Sequence, residues 1–166
     1  MIYLNKLKGA IYGLAIGDAI GVPYEFKHRG TFTCTDMIGF GTHNQPIGTW
    51  SDDTSLTLAT LDSINKYNEE INYADIRKNF KNWLHDGIYT PFEEVFDVGG
   101  TTAKAINIGY GINSEDANGN GSLMRILPLA FIENVTDEEI GNVSAITHAH
   151  AISKDACVQY VKIPIQ

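Results

Sequence analysis

Cysteine is scarce, with only Cys34 and Cys157, far apart and outside any metal-type spacing. They provide neither a disulfide framework nor a zinc cluster, and a reducing compartment is the simplest setting. Cationic side chains are also few: 12 Lys and Arg against 20 Asp and Glu, for a formal net charge of −8. Without a basic stripe the chain has no footprint for a phosphate backbone, so nucleic acid is excluded as a partner. No apolar run reaches bilayer-spanning length, so no membrane partner is expected. The stretch Gly9–Gly17 follows Lys6 and Lys8 in the manner of a leader peptide, but Asp18 interrupts it and no cleavage signal follows. The expected location is the cytoplasm. Strand alternation and solenoid repeats are missing as well. What remains, at 43% apolar and 19% charged residues, is a globular composition at the size of one domain over residues 1–166.

Helical periods fill most of that length, and the predicted fold class is all-α. A first helix spans Leu4 to about Gly21, with Leu7, Ile11, Leu14 and Asp18 on one stripe. Gly9, Gly13, Gly17 and Gly21 form a second, bare stripe. Glycine costs roughly 1 kcal/mol per interior helical position, so close approach of another backbone is expected there. Asp18 lies on the apolar stripe and needs polar partners. Pro23 ends the helix, and Glu25 follows between Tyr24 and Phe26, an apolar setting for a carboxylate. Residues 27–50 form a loop long enough to suggest a function.

A second helix is predicted from Asp52 to about Tyr67, with Leu56, Leu61 and Ile64 inward. A third runs from Tyr73 to Asp86, capped by Asn72 and stopped by Gly87, with Ile76, Phe80, Trp83 and Leu84 inward. His85, near its end, reads as a surface residue favoured by the helix dipole. Leu123–Leu129 reads as an apolar helix kinked at Pro128, in which Arg125 pairs with a buried acid. Thr136-Asp137-Glu138-Glu139 is a capping box opening a last long helix that carries Ile140, Val143 and Ile146 inward. His148 and His150 fall near its end, and two His at i and i+2 on a helix point apart, which disfavours zinc. Pro164 breaks any continuation.

Three stretches could carry chemistry. In Trp50-Ser51-Asp52-Asp53-Thr54, adjacent carboxylates flanked by hydroxyls meet a helix start. That is either an N-cap with dipole-favoured acids or a site for a hard cation. In Asp97-Val98-Gly99-Gly100-Thr101-Thr102, glycines before a helix expose backbone N–H groups to an anion. In Asn118-Gly119-Asn120-Gly121-Ser122, glycines permit close approach and Asn120 both donates and accepts.

In this order, and together with Gly13-Leu14-Ala15-Ile16-Gly17-Asp18-Ala19-Ile20-Gly21, Glu25, Leu123-Met124-Arg125 and Thr147-His148-Ala149, these motifs resemble the ADP-ribosylglycohydrolase family. The resemblance covers Lys8 to about Cys157. It implies an orthogonal multi-helix bundle around a cleft with two Mg²⁺ or Mn²⁺ ions. Ser51, Asp52 and Asp53 are then metal ligands, while Glu25 and Asp53 are the catalytic acids. Gly99, Gly100 and Thr101 cradle the diphosphate, and Gly119, Asn120 and His148 contact the ribose. The implied reaction is hydrolysis of the ribose C1″ bond to a protein side chain or a related small acceptor.

The family completes its metal site with an Asp-x-Asp-Thr motif in a C-terminal portion of comparable size, and this chain has no Asp-x-Asp. The bundle is therefore expected to be incomplete at the C-terminus, the cation site partial, and some apolar faces uncovered. Three readings follow: a glycohydrolase domain lacking its second half, a non-catalytic ADP-ribose or nucleotide-binding module, or a remnant that self-associates or pairs with a complementing chain.

Overall fold

Six α-helices joined by loops and short 3-10 turns make up the regular structure of the computed structural model, which describes residues 2–163. They are α1 (Ile2–Gly21), α2 (Asp52–Lys66), α3 (Tyr73–Asp86), α4 (Gly100–Ile108), α5 (Asp137–Ser144) and α6 (Ala151–Val161). Among the described residues the β structure is confined to two isolated bridges, Phe40 with Gln45 and Ile112 with His148. The all-α expectation holds. Pro164 lies outside the described residues.

Helix α2 is the central element, packed against α1, α3 and the 3-10 turns at Leu123–Arg125 and Leu127–Phe131. Its Leu56, Ala59 and Ile64 join Ile76, Phe80 and Trp83 of α3, Ile106 of α4, and Ile140 and Val143 of α5 in one buried core. Two threonine hydroxyls that enter this interior are satisfied locally, with Thr60 Oγ1 donating to Leu56 O at 2.8 Å and Thr57 Oγ1 to Asp53 O at 2.8 Å. Leu61 and Leu84, expected inward, are half-buried at the margins. The caps of α3 follow the sequence signals: Asn72 accepts from Asp75 N, and Gly87 closes the helix at a φ of 68°. His85 is exposed in the last turn, as expected.

Four expectations need correction. Residues 123–131 form two 3-10 turns and not one kinked α-helix, and Pro128 sits at the start of the second turn, where its missing N–H costs nothing. The capping box at Thr136 and Glu139 is present, but the helix it opens is only 8 residues long and ends at Ser144. The chain then turns, His148 pairs with Ile112, and His150 caps α6 by accepting from Ile152 N. The two histidines therefore lie outside helix interiors, and the helical-spacing argument against zinc does not apply to them.

Arg125 is the third correction. It is fully buried, but its partners are not acids. Nη2 donates to Val143 O at 3.3 Å and to Thr147 Oγ1 at 2.8 Å, and the guanidinium lies 4.5 Å from the Phe80 ring centroid. Carbonyls at the C-terminal end of α5 carry partial negative charge, and an aromatic face adds a cation–π attraction. Burial holds the Arg125 pKa down at about 10.

The glycine stripe of α1 also departs from expectation. A Cβ built on Gly9, Gly13, Gly17 or Gly21 meets nothing within 4 Å, so no other backbone of the described chain approaches it. At Gly111 the same test puts a Cβ 2.1 Å from Ala145 O, at the segment pinned by the Ile112–His148 bridge. The two sites predict opposite outcomes. In denaturant titrations of the isolated chain, Gly13→Ala should stabilise by up to about 1 kcal/mol, the helix-propensity gain. Gly111→Ala should destabilise. A loss of stability in Gly13→Ala would mean that the stripe is already covered.

Candidate active site

The acid pair at the head of α2 is fixed from outside its own helix. Asp18, on α1, accepts from Ser51 N at 3.0 Å, Ser51 Oγ at 2.8 Å, Thr54 N at 3.1 Å and Thr54 Oγ1 at 2.6 Å. This is the set of partners that a carboxylate on an apolar stripe requires. Ser51 is at once the N-cap, accepting from Asp53 N at 3.4 Å. With its proton given to Asp18 and one lone pair directed at Asp53 N, the hydroxyl keeps one lone pair. Asp52, largely buried, and Asp53, half-buried, then project from the first turn.

Both acids line a cavity of about 470 Å³, a volume suited to a small ligand. The start of α4, with Gly99, Gly100 and Thr101, lines the same cavity, as do Gly119, Asn120, Gly121 and Met124. Gly100 and Gly119 present bare backbone, with nothing within 4 Å of the place a Cβ would occupy. Gly121 is the opposite case: a Cβ there would lie 2.7 Å from His148 Cε1 and 2.8 Å from Thr102 Oγ1, so only glycine lets that ring reach the cavity.

His148 is buried to 2% exposure, and burial followed by the Arg125 charge pushes its pKa down to about 4. Thr147 Oγ1 accepts from Arg125 and sits 2.9 Å from His148 Nδ1. Its own proton is therefore free for Nδ1, which leaves the neutral imidazole with a proton on Nε2. His148 is thus a neutral donor at the cavity wall.

At the cavity mouth stand two groups that motif reading did not single out as site residues. Glu25 lies within ligand distance of His43 and Asp97: one oxygen or nitrogen from each falls within 4.8 Å of the others, a set able to hold a metal ion. His43 Nε2 is 2.5 Å from Glu25 Oε2 and 3.8 Å from Asp97 Oδ1. Asp97 was within reach of sequence reading, since it heads the Asp97-Val98-Gly99-Gly100 motif. His43 gave no periodic or motif signal. Of the residues singled out from sequence, Glu25, Asp52, Asp53, Gly99, Gly100, Thr101, Gly119, Asn120 and His148 line this one cavity, whereas Ser51 is buried behind it.

The lining holds four carboxylates, from Glu25, Asp52, Asp53 and Asp97, and no Lys or Arg. Burial, then the neighbouring Asp53, Asp97 and Asp18 charges, push Asp52 up to about 8. Burial, then Asp97, raise Glu25 to about 8, and burial with Asp18 and Asp97 raises Asp53 to about 6. So much uncompensated oxygen suits a hard divalent cation.

Helical scaffold and cavity together define a protein with an acidic cleft walled in part by a glycine-flanked helix start. The chain belongs to the ADP-ribosylglycohydrolase family, whose model matches residues 1–163. It is 34% identical over 135 residues to the ADP-ribosylarginine hydrolase Tri1 of Pseudomonas putida, covering 77% of this chain and 36% of that protein. It is 33% identical over 169 residues to the ADP-ribosyl-[dinitrogen reductase] glycohydrolase of Rhodospirillum rubrum, covering 93% and 55%. A solved structure described as an ADP-ribosylglycohydrolase-related protein complex superposes with a TM-score of 0.76 at 28% identity, over 94% of this chain and 53% of that one. The chain spans roughly half the length of its relatives or less.

The raised carboxylates make stability depend on pH. Between their unfolded values near 4 and their folded values, the folded state binds more protons, so stability falls as pH rises. His148, lowered from 6.5 to about 4, acts in the opposite sense below 6.5, which leaves about pH 6.5 to 8 as the clean window. Thermal melts in EDTA should show Tm falling across that window. Asp52→Asn should flatten the slope and melt above the wild type at pH 8. A level or rising wild-type Tm would contradict this electrostatic account.

Proposed function

We propose that this chain carries the acid-bearing part of a metal-dependent ADP-ribosyl hydrolase site. The observation that carries the reading is that four carboxylates and the glycine-flanked start of α4 share one cavity. Ser51, Asp52 and Asp53 would hold Mg²⁺ or Mn²⁺. Two carboxylates beside a hydroxyl lone pair suit an oxygen-seeking cation, and no Lys or Arg lines the cavity to neutralise them. When bound, the cation supplies orientation of the ribose hydroxyls and stabilisation of charge at the reacting centre.

The remaining roles belong to the chain. Backbone N–H groups of Gly99, Gly100 and Thr101 would bind the diphosphate, since a helix start offers unpaired donors and positive potential. Gly119 and Asn120 would flank the ribose, and His148 would donate from Nε2. In the reaction the bond from C1″ to the acceptor breaks through an oxocarbenium-like centre, and a water oxygen takes its place. The water proton passes to a carboxylate and the acceptor leaves with a proton. Glu25 and Asp53, both on the cavity lining, would be the two acids of this exchange.

The named activities of the relatives suggest ADP-ribosylated arginine on a protein as the substrate class, with small ADP-ribosyl compounds as the other candidates. No helix among the described residues is long and apolar enough to cross a membrane, and a cytoplasmic setting suits the free Cys34 and Cys157. Turnover by the 166-residue chain alone is proposed to be slow, because one serine and two aspartates leave much of a cation's shell to water. Further ligands would come from additional sequence or from a complementing or self-associated chain. The open stripe of α1, with Tyr12 and Ile16 exposed beside it, is consistent with such a contact.

ADP-ribose with Mg²⁺ should raise the Tm of the wild type and produce a smaller shift in Gly100→Asp. The new carboxylate enters open space, so the fold is spared while the diphosphate is repelled. Slow Mg²⁺-dependent release of ADP-ribose from ADP-ribosylarginine should be lost in Asp52→Ala and Asp53→Ala. No thermal shift at millimolar ADP-ribose would overturn the reading. A shift without any release, even with a complementing chain, would leave a binding module.

A further inference from the structure

The long loop 27–50 doubles back so that its 3-10 turn, Gly41–His43, packs on the Val22–Tyr24 turn beside Glu25. The contact is close. A Cβ on Gly41, which has a φ of +67°, would come 2.3 Å from Pro23 O. Thr42 Oγ1 donates to Glu25 O at 2.7 Å, and the Phe40–Gln45 bridge closes the loop. The His43 ring is thereby delivered between Phe26 and Phe96, with centroid separations of 5.8 and 5.2 Å. Its Nε2 meets Glu25 Oε2 at 2.5 Å, and Asp97 stands beyond at 3.8 Å.

The backbone around this contact is strained. Phe26, Phe40, Asn44 and Asp97 all hold left-handed φ values, of 59°, 65°, 53° and 53°. Residues with side chains adopt that region only where the surroundings impose it, and such clustering is characteristic of functional sites. Two of the four flank the His43 turn, one follows Glu25, and one is the facing acid.

We propose that His43 is a positioning residue for the Glu25 carboxylate: the 27–50 loop exists to present an imidazole that fixes Glu25 facing Asp97 and the cavity. The hydrogen bond from Thr42 reaches only the backbone carbonyl of Glu25, so the side-chain torsions are set by its carboxyl partners, the His43 ring on one side and the Asp97 carboxyl on the other. The edge contacts with Phe26 and Phe96 in turn hold the ring. His43 does not line the cavity, so it acts through Glu25 and not on a ligand. This inference rests on the glycohydrolase reading for its kinetic consequence, but not for its structural one.

The test uses the full chain with ADP-ribosylarginine and Mg²⁺ under single-turnover conditions, where slow release is measurable. His43→Phe keeps the ring contacts and removes the hydrogen bond, and His43→Gln restores a donor of similar reach. The expected result for His43→Phe is a single-turnover rate lowered about tenfold to a hundredfold, the scale of a misplaced reacting group. The chain concentration giving half-maximal rate and the Tm shift with ADP-ribose should stay as in the wild type, and His43→Gln should recover part of the rate. Crystal structures should show Glu25 turned away or spread over several rotamers in His43→Phe, with Asp52 and Asp53 in place. An unmoved Glu25 in His43→Phe, an unchanged rate, or a His43→Gln no better than His43→Phe would overturn the proposal. If the wild type released no ADP-ribose even with a complementing chain, the glycohydrolase reading would fall, and the Glu25 positions in the crystals would still decide whether His43 holds it.

Discussion

The carboxylate of Asp18 binds two helices at the point where the site begins. By accepting from the backbone N–H and hydroxyl of both Ser51 and Thr54, it satisfies the first turn of α2 from α1. An N-terminal helix turn has unpaired donors, and ordinarily its own cap side chain takes one of them. Here the external acid supplements the cap, and the acids of the turn itself, Asp52 and Asp53, are released to face the cavity. The direction of those two side chains, and the lone pair left on Ser51, both follow from that contact.

The arrangement concentrates negative charge where burial already disfavours it. The start of α2 offsets some of this repulsion through its dipole, and the start of α4 lines the same cavity. What is left uncompensated raises three carboxylate pKa values and makes the apo site a weak point of the fold. Natural sites often hold such an opposition, because the groups that destabilise the empty protein are those that bind its ligand. The neighbouring neutral histidine is organised by the reverse logic: a dry setting, and then the Arg125 charge, keep His148 unprotonated, a donor in an otherwise acceptor-rich cavity.

Much of the fold was legible because its signals are local. Asn72 and Gly87 bracket α3, and Thr136 and Glu139 open α5, each through a cap chemistry that needs only neighbouring residues. The cavity-lining residues were legible for a different reason, since glycine-flanked helix starts recur in an order characteristic of a family. Long-range choices were not. Nothing local announces that Arg125 would lie against the Val143 carbonyl, Thr147 and the Phe80 ring, because a buried acid would serve equally well on paper. Residues 123–131 have helical composition but wind as 3-10 turns against α2, a tertiary preference over a local one. His43 sits in a loop without period, and its role arises only when residues 18 positions apart in sequence meet.

The central claim is that Asp52 and Asp53, held by Asp18, form a divalent-cation site in the cavity walled by Gly99 and Gly100. Anomalous diffraction from crystals grown with Mn²⁺ and ADP-ribose tests it most directly. The account predicts a manganese peak within bonding distance of the Asp52 and Asp53 carboxylates, with the ADP-ribose diphosphate against the start of α4. A manganese peak elsewhere with none at these two acids, or a diphosphate bound away from α4, would contradict it.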